Sequence, residues 1–150
     1  MKKIIVTLIL LLGVLLTGCS NEFAKTEYDN NKLLAETADR YSKSMAVMNY
    51  YDNHLTFTAG SFDGRQKLWS ESYESDSNVL ISLKFTLGSG TAKIVHIDND
   101  NNVEVIAECD GGKTNDDAVA YNIAMSKGEN RIKIVGYECK ELNVDMQIND

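Results

Sequence analysis

Three cysteines and two histidines carry most of the nucleophilic and metal-binding potential of this 150-residue chain. A zinc site needs close pairs of Cys or His ligands, and His54, His96, Cys109 and Cys139 are too scattered for that pattern, so no metal is expected. Ser89 lies between Gly88 and Gly90 but lacks the full nucleophile-elbow spacing. His96, next to Ile97 in an apolar run, reads as a structural histidine. Asp98, Asp100 and Asn102 present oxygens at alternate positions, as a calcium loop does at its start. Val103 then stands where the sharp turn wants Gly, and Cys109 where the bidentate Glu belongs, so a solvated turn is expected. No catalytic residue is assigned and no enzyme is expected, although carboxylates brought together from separate loops could still hydrolyse a polymer. The aromatics Tyr50, Tyr51, Trp69 and Tyr73 are the candidates for ligand binding, because such faces stack on sugar rings or anchor protein interfaces; Trp69 equally suits a core.

Cys19 has a different setting. Lys2 and Lys3 precede an apolar run from Ile4 to Leu16, which ends at the small residue Gly18. These are the regions of a secretory signal peptide, and the run is shorter than the roughly 20 residues that cross a bilayer. Leu16-Thr17-Gly18-Cys19 resembles the bacterial lipobox at every position. The resemblance implies a diacylglycerol thioether on Cys19, cleavage before it, and acylation of the new amine, with no other cofactor. It places the protein on the extracytoplasmic face of the cell membrane or outer membrane, with membrane lipid as its partner through Cys19. Two or more acyl chains anchor stably, at ~0.8 kcal/mol per buried methylene.

Cleavage leaves Cys109 and Cys139 as an even pair in an oxidising compartment. Each ends a strand-like run, so they either form a bridge, which would stabilise by roughly 3 to 4 kcal/mol, or remain two buried thiols. Loss of Lys2 and Lys3 takes the formal charge from −7 to −9. An acidic body argues against nucleic acid as a partner, since that binding rewards clustered Lys and Arg. The chain has no proline, so its turns depend on Gly, Asn, Asp and Ser.

The elements divide the chain into a signal peptide at 1–18, a lipidated polar tether at 19–30, an amphipathic helix at 31–51 and a β-sandwich domain at 52–150. The helix is read from Leu34, Ala38, Tyr41, Met45 and Met48, whose spacings of four and three place them on one face. Beyond His54 the period becomes two. Val79 to Leu87, Val103 to Cys109, Arg131 to Val135 and Leu142 to Ile148 alternate as strands with one buried face. Weaker strands are expected at Leu55 to Ala59, Arg65 to Ser70, Lys93 to Asp98 and Ala118 to Met125. Seven or eight short strands punctuated by Gly, Asn and Asp predict a mainly β fold, an antiparallel sandwich preceded by one helix. Lys127 to Gly136 also resembles the penultimate strand of jelly-roll and related immunoglobulin-like sandwich modules, many of which bind carbohydrate.

The functional expectation is a membrane-anchored, non-catalytic module for a protein or glycan partner. The alternatives are a structural component of the cell envelope and, third, an envelope-polymer hydrolase.

Overall fold

The computed structural model describes residues 22–112 and 115–149; the leader, Leu16 to Gly18 and Cys19 lie outside them. Two short helices, α1 (Glu22–Tyr28) and α2 (Asn31–Leu34), precede eight strands. These are β1 (Arg40–Ser44), β2 (Val47–Tyr51), β3 (His54–Tyr73), β4 (Ser77–Thr86), β5 (Ser89–Ile97), β6 (Val103–Asp110), β7 (Asn115–Met125) and β8 (Gly128–Asn149). Every pairing is antiparallel.

β3 and β8 pair from His54↔Gln147 to Tyr73↔Gly128, with register shifts at Phe62/Gly64 and Lys67/Trp69. Their outer partners change along this length. The second half of β8 pairs with β4, and β4 with β7, while the first half of β8 pairs with β5, and β5 with β6. One continuous sheet therefore bends over itself. The first layer runs β2-β3-β8-β4-β7 and the second β3-β8-β5-β6, with β1 at the bend. The runs expected at 55–59 and 65–70 are the two halves of β3, and those at 131–135 and 142–148 the two halves of β8.

Alternation explains the core. On β4, Val79, Ile81, Leu83 and Phe85 are buried while Leu80 is exposed and Ser82 and Lys84 are half-buried. These residues join Leu55, Phe57, Ile94, Ile132, Ile134, Val144 and Ile148 in one cluster that draws on both layers. Burying such side chains stabilises by ~1.5–3 kcal/mol each. The bend requires Gly64, which has φ +104°, because a Cβ there would stand 2.1 Å from the Arg40 carbonyl oxygen. Asp63 supports the bend from within, accepting the Glu138 N–H at 2.6 Å.

The helix expected over 31–51 is not formed. Asn30 caps α2 by accepting the Leu33 N–H, and helical structure stops at Leu34; β1 and β2 occupy the rest. Tyr41, Val47, Tyr50 and Tyr51 are strand formers, and the free edge of β3 offers them ladder bonds. The apparent stripe is divided, with Leu34 buried and Tyr41, Met45 and Met48 exposed. The polar segment expected as a tether is also structured from Glu22 onward, where Ala24, Glu27 and Tyr28 are buried.

Residues 22–39 form a strap across the outer face of the second layer. Tyr28 and Leu34 pack on Val95, Ile97 and Val135. Between these apolar contacts lie four buried cations, Arg65, Lys93, Arg131 and Lys133. Arg65 donates to Glu27 and Glu36, and Arg40 to the other oxygen of Glu27 at 2.9 Å. Lys93 reaches Asp29 at 3.0 Å and sits over the Tyr28 ring. Arg131 donates to the Ala35 carbonyl at 2.9 Å, and Lys133 to that of Glu36, with Asp39 at 3.5 Å. Burial lowers the Lys133 pKa, and Asp39 opposes that shift. A strand face that reads as solvated in sequence is thus closed by the chain's own acidic segment.

Candidate functional site

Among the described residues no segment covers the outer face of the first layer in this way, and the register turns that face into a grid. Tyr51, His54, Gln147, Ser82 and Ala120 lie side by side across five strands. The next row is Asn49, Thr56, Asp145 and Lys84, and the third Val47, Thr58, Asn143 and Thr86. Their neighbours along each strand, among them Leu55, Phe57, Val144, Met146, Leu83 and Phe85, fill the core. Burying one set of a two-residue period forces the other outward. Five strands at ~4.8 Å spacing make a surface about 19 Å across.

The grid is polar and nearly neutral. His54 Nε2 lies 2.7 Å from Asp145 Oδ1, with both side chains about half exposed at 46% and 48%. Lys84 registers beside Asp145 on its other side. Tyr51, 84% exposed, stands at the margin, next to the turn residues Asp52 and Asn53, both of which have positive φ. The turn is tied down because the Asn53 carbonyl accepts the Ile148 N–H at 2.9 Å and the Tyr50 hydroxyl donates to Asn53 Oδ1 at 3.0 Å. Fixed amides, hydroxyls, one imidazole and one carboxylate beside an exposed ring can bind a hydroxyl-rich ligand. Hydrolysis of a glycosidic bond ordinarily needs two carboxyl groups flanking it, and Asp145 is the one carboxylate in the three rows.

The residues singled out from sequence are dispersed. Trp69 is buried in the core and Tyr73 packs against it, because both follow the second half of β3 into the sandwich. Tyr50 and Tyr51, adjacent on β2, point to opposite faces; Tyr50 registers with the core residue Leu55, and Tyr51 with His54 on the grid. His96 is buried and bonded to Asn130 at 3.0 Å. Cys109 and Cys139 are buried thiols and the bridge weighed between them is not formed. Cys139 Sγ donates to the Thr91 carbonyl at 3.2 Å and fills the space beside Gly136, where a Cβ would lie 2.5 Å from it. Burial pushes its thiol up to about 12, and burial raises Cys109 as well.

Asp98 is occupied within its own turn. It accepts the N–H groups of Asp100 and Asn102 and the Asn102 side-chain amide, at 2.8 to 2.9 Å. Its slight burial raises the pKa, but these bonds outweigh that and hold the carboxyl below the usual range. Asp98 and Asp76 both line a cleft of about 380 Å³, yet Asp76 in turn accepts the Lys127 N–H at 2.9 Å. Among the described residues no group of three His, Cys, Asp or Glu side chains converges on a metal position, and no helix is long and apolar enough to cross a membrane.

Of the grid, the sequence pointed to Tyr51 as a ligand-binding residue and to His54 only as a scattered histidine. The outward alternation of Thr56 on β3, Ser82 and Lys84 on β4, and Asn143, Asp145 and Gln147 on β8 was present as a signal. Its significance depends on which strands are neighbours.

No protein-family model and no curated protein sequence matches the chain. Among solved structures, it is similar to a family 35 carbohydrate-binding module from Paenibacillus barcinonensis, at 16% identity over 77% of this chain and 95% of that one, with a TM-score of 0.43. It is also similar to a carbohydrate-binding module of the Cellvibrio mixtus lichenase 5A, described in complex with cellotriose, at 13% identity over 74% and 89%, TM-score 0.44. A family 29 carbohydrate-binding module gives 12% identity over 75% and 78%, TM-score 0.40. Likenesses this distant leave the ligand to be argued from this chain's own residues.

Proposed function

We propose that the protein is a non-catalytic binding module, tethered to the extracytoplasmic face of a membrane by lipid on Cys19, that holds an uncharged glycan on its open sheet face. The observation that carries the binding reading is the contrast between the two outer faces. One is closed by a strap that gives carboxylates to three buried cations and a backbone carbonyl to the fourth; the other displays three rows of mostly polar side chains with Tyr51 at their margin. A flat lattice of amides and hydroxyls offers paired donors and acceptors to an extended hydroxyl-rich chain, and an exposed ring adds stacking area. The near balance of His54 and Lys84 against Asp145 gives no reason for a strongly charged ligand.

The mature chain carrying Cys19→Ser, screened on glycan arrays and by affinity electrophoresis in neutral polysaccharides, should be retarded by at least one of them. Tyr51→Ala and Gln147→Ala should each weaken that binding about tenfold, the effect of ~1.4 kcal/mol. Binding that survives both changes, or binding only to a protein partner, would refute the glycan reading. The anchor has a separate test: Cys19→Ser should release the protein from membranes, and unchanged membrane retention would overturn lipidation.

A further inference from the structure

The β1–β2 edge is the most apolar exposed region of the described surface. Tyr41, Met45, Val47, Met48, Tyr50 and Tyr51 are all between 45% and 84% exposed, and no residue of either strand is buried. Among the described residues both strands pair only with β3, which leaves their other edge without a partner strand. A long apolar edge of this kind normally invites a partner.

The course of α1 indicates which partner. One side of α1 lies toward β5 and β6, where Tyr28 stacks edge-on against Tyr137, contacts Lys93 and donates its hydroxyl to Glu108 at 2.7 Å. The other side of α1 lies at β1, where the Arg40 guanidinium sits 4.5 Å from the centre of the Phe23 ring and donates to Glu27 one turn further on. Phe23, the second residue of α1, is thus already beside β1. From Cys19 to Glu22 is three residues, which span no more than about 11 Å. A lipid on Cys19 consequently brings β1 to the headgroup layer.

The edge chemistry suits that layer. Residues 40–51 contain Arg40 and Lys43 and no carboxylate, within a body of strong net negative charge. The Lys43 ammonium lies 4.4 Å from the centre of the Tyr41 ring and donates to Gln66 Oε1 at 2.8 Å, and Met48 and Tyr50 continue the row along β2. Tyrosines and snorkelling cations are the side chains that favour a membrane interface.

We infer that the β1–β2 edge rests on the lipid headgroups of the membrane that holds the anchor. This orientation rests on the reading of Cys19 as lipidated. It stands the first layer on its β2 edge, with β7 farthest from the bilayer and the polar grid facing sideways.

The test uses the full lipidated chain in vesicles of phosphatidylcholine and phosphatidylglycerol whose acyl chains are brominated near the headgroup. Tyr50→Trp reports the proposed contact and Asn122→Trp, on β7, the far edge; the unmodified chain supplies the constant signal of buried Trp69. Position 50 should be quenched at least threefold more than position 122, and Lys43→Glu should reduce that difference while the protein still floats with the vesicles. Met48→Trp, on the same side of β2 as Tyr50, replaces the first reporter if Tyr50→Trp melts early. Flotation with equal quenching at the two positions overturns the orientation alone. Chemical cross-linking of two copies through β2 without lipid quenching also overturns it, in favour of a dimer. Failure to float overturns the anchor, and the orientation with it.

Discussion

Replacing Glu27 by alanine tests whether the strap is held by charge. Glu27 and Arg65 have side chains only 4% exposed, and Glu27 also accepts from Arg40. Removing the carboxylate strands a guanidinium whose Nε already has no hydrogen-bond partner among the described residues. Breaking a buried pair costs ~3–5 kcal/mol. Glu36 still accepts from Arg65 Nη2, so the low end applies, about 3 kcal/mol. For a domain of this size each kcal/mol moves the melting temperature by ~3–4 °C, giving a drop of about 10 °C. Urea unfolding followed by Trp69 fluorescence and thermal unfolding followed by circular dichroism would measure it. Joining Glu27→Leu with Arg65→Met should recover most of the loss, because apolar replacement of both partners removes the desolvation cost. If Glu27→Ala falls within ~0.5 kcal/mol of the parent, as an ordinary surface change does, the electrostatic account of the strap is wrong.

Three further outcomes are expected. Gly64→Ala forces a left-handed conformation on alanine and drives its Cβ into the Arg40 carbonyl; it should destabilise by ~2–4 kcal/mol, and a melt unchanged from the parent would contradict the bend. The folded Asp98 carboxyl titrates below its unfolded value, so its contribution is present above about pH 4 and is lost as pH falls through the lower folded value; the stability gap between the parent and Asp98→Asn should shrink on acidification, whereas a gap that widens would reverse the assignment. In the reduced native protein, Cys109 and Cys139 should resist Ellman's reagent at neutral pH and react fully in denaturant, since raised thiol pKa values and burial both suppress the thiolate; rapid native labelling would show that the layers open there.

The fold class was legible because most of the chain obeys a two-residue period, and Val79 to Leu87 and Leu142 to Ile148 are buried in the expected alternation. The long strands were not legible as such. At the bend, residues 60–64 and 136–141 lie between the runs expected as strands, and bulged pairing across them carries the strands through. The 31–51 stretch misled because spacings of three and four occur by chance among scattered apolar residues, and only the free edge of β3 decides between helix and strand. The four strap-covered cations looked solvated for a related reason: burial of an alternating polar face depends on what lies over it. The grid was equally hidden, since Tyr51, Asp145 and Ser82 become neighbours only when β8 lies between β3 and β4.

That central position of β8 has a consequence for how the chain becomes folded. β8 is the last described strand and the only link from β3 to β4 and β5. The first layer and the second therefore cannot close until residues 128–149 arrive, and their pairings with β3 join positions far apart in sequence. Such non-local closure is slow. A chain emerging N-terminus first would carry no assembled core of this kind until residues 128–149 were available. The same arrangement predicts that loss of β8 would abolish the fold as a whole.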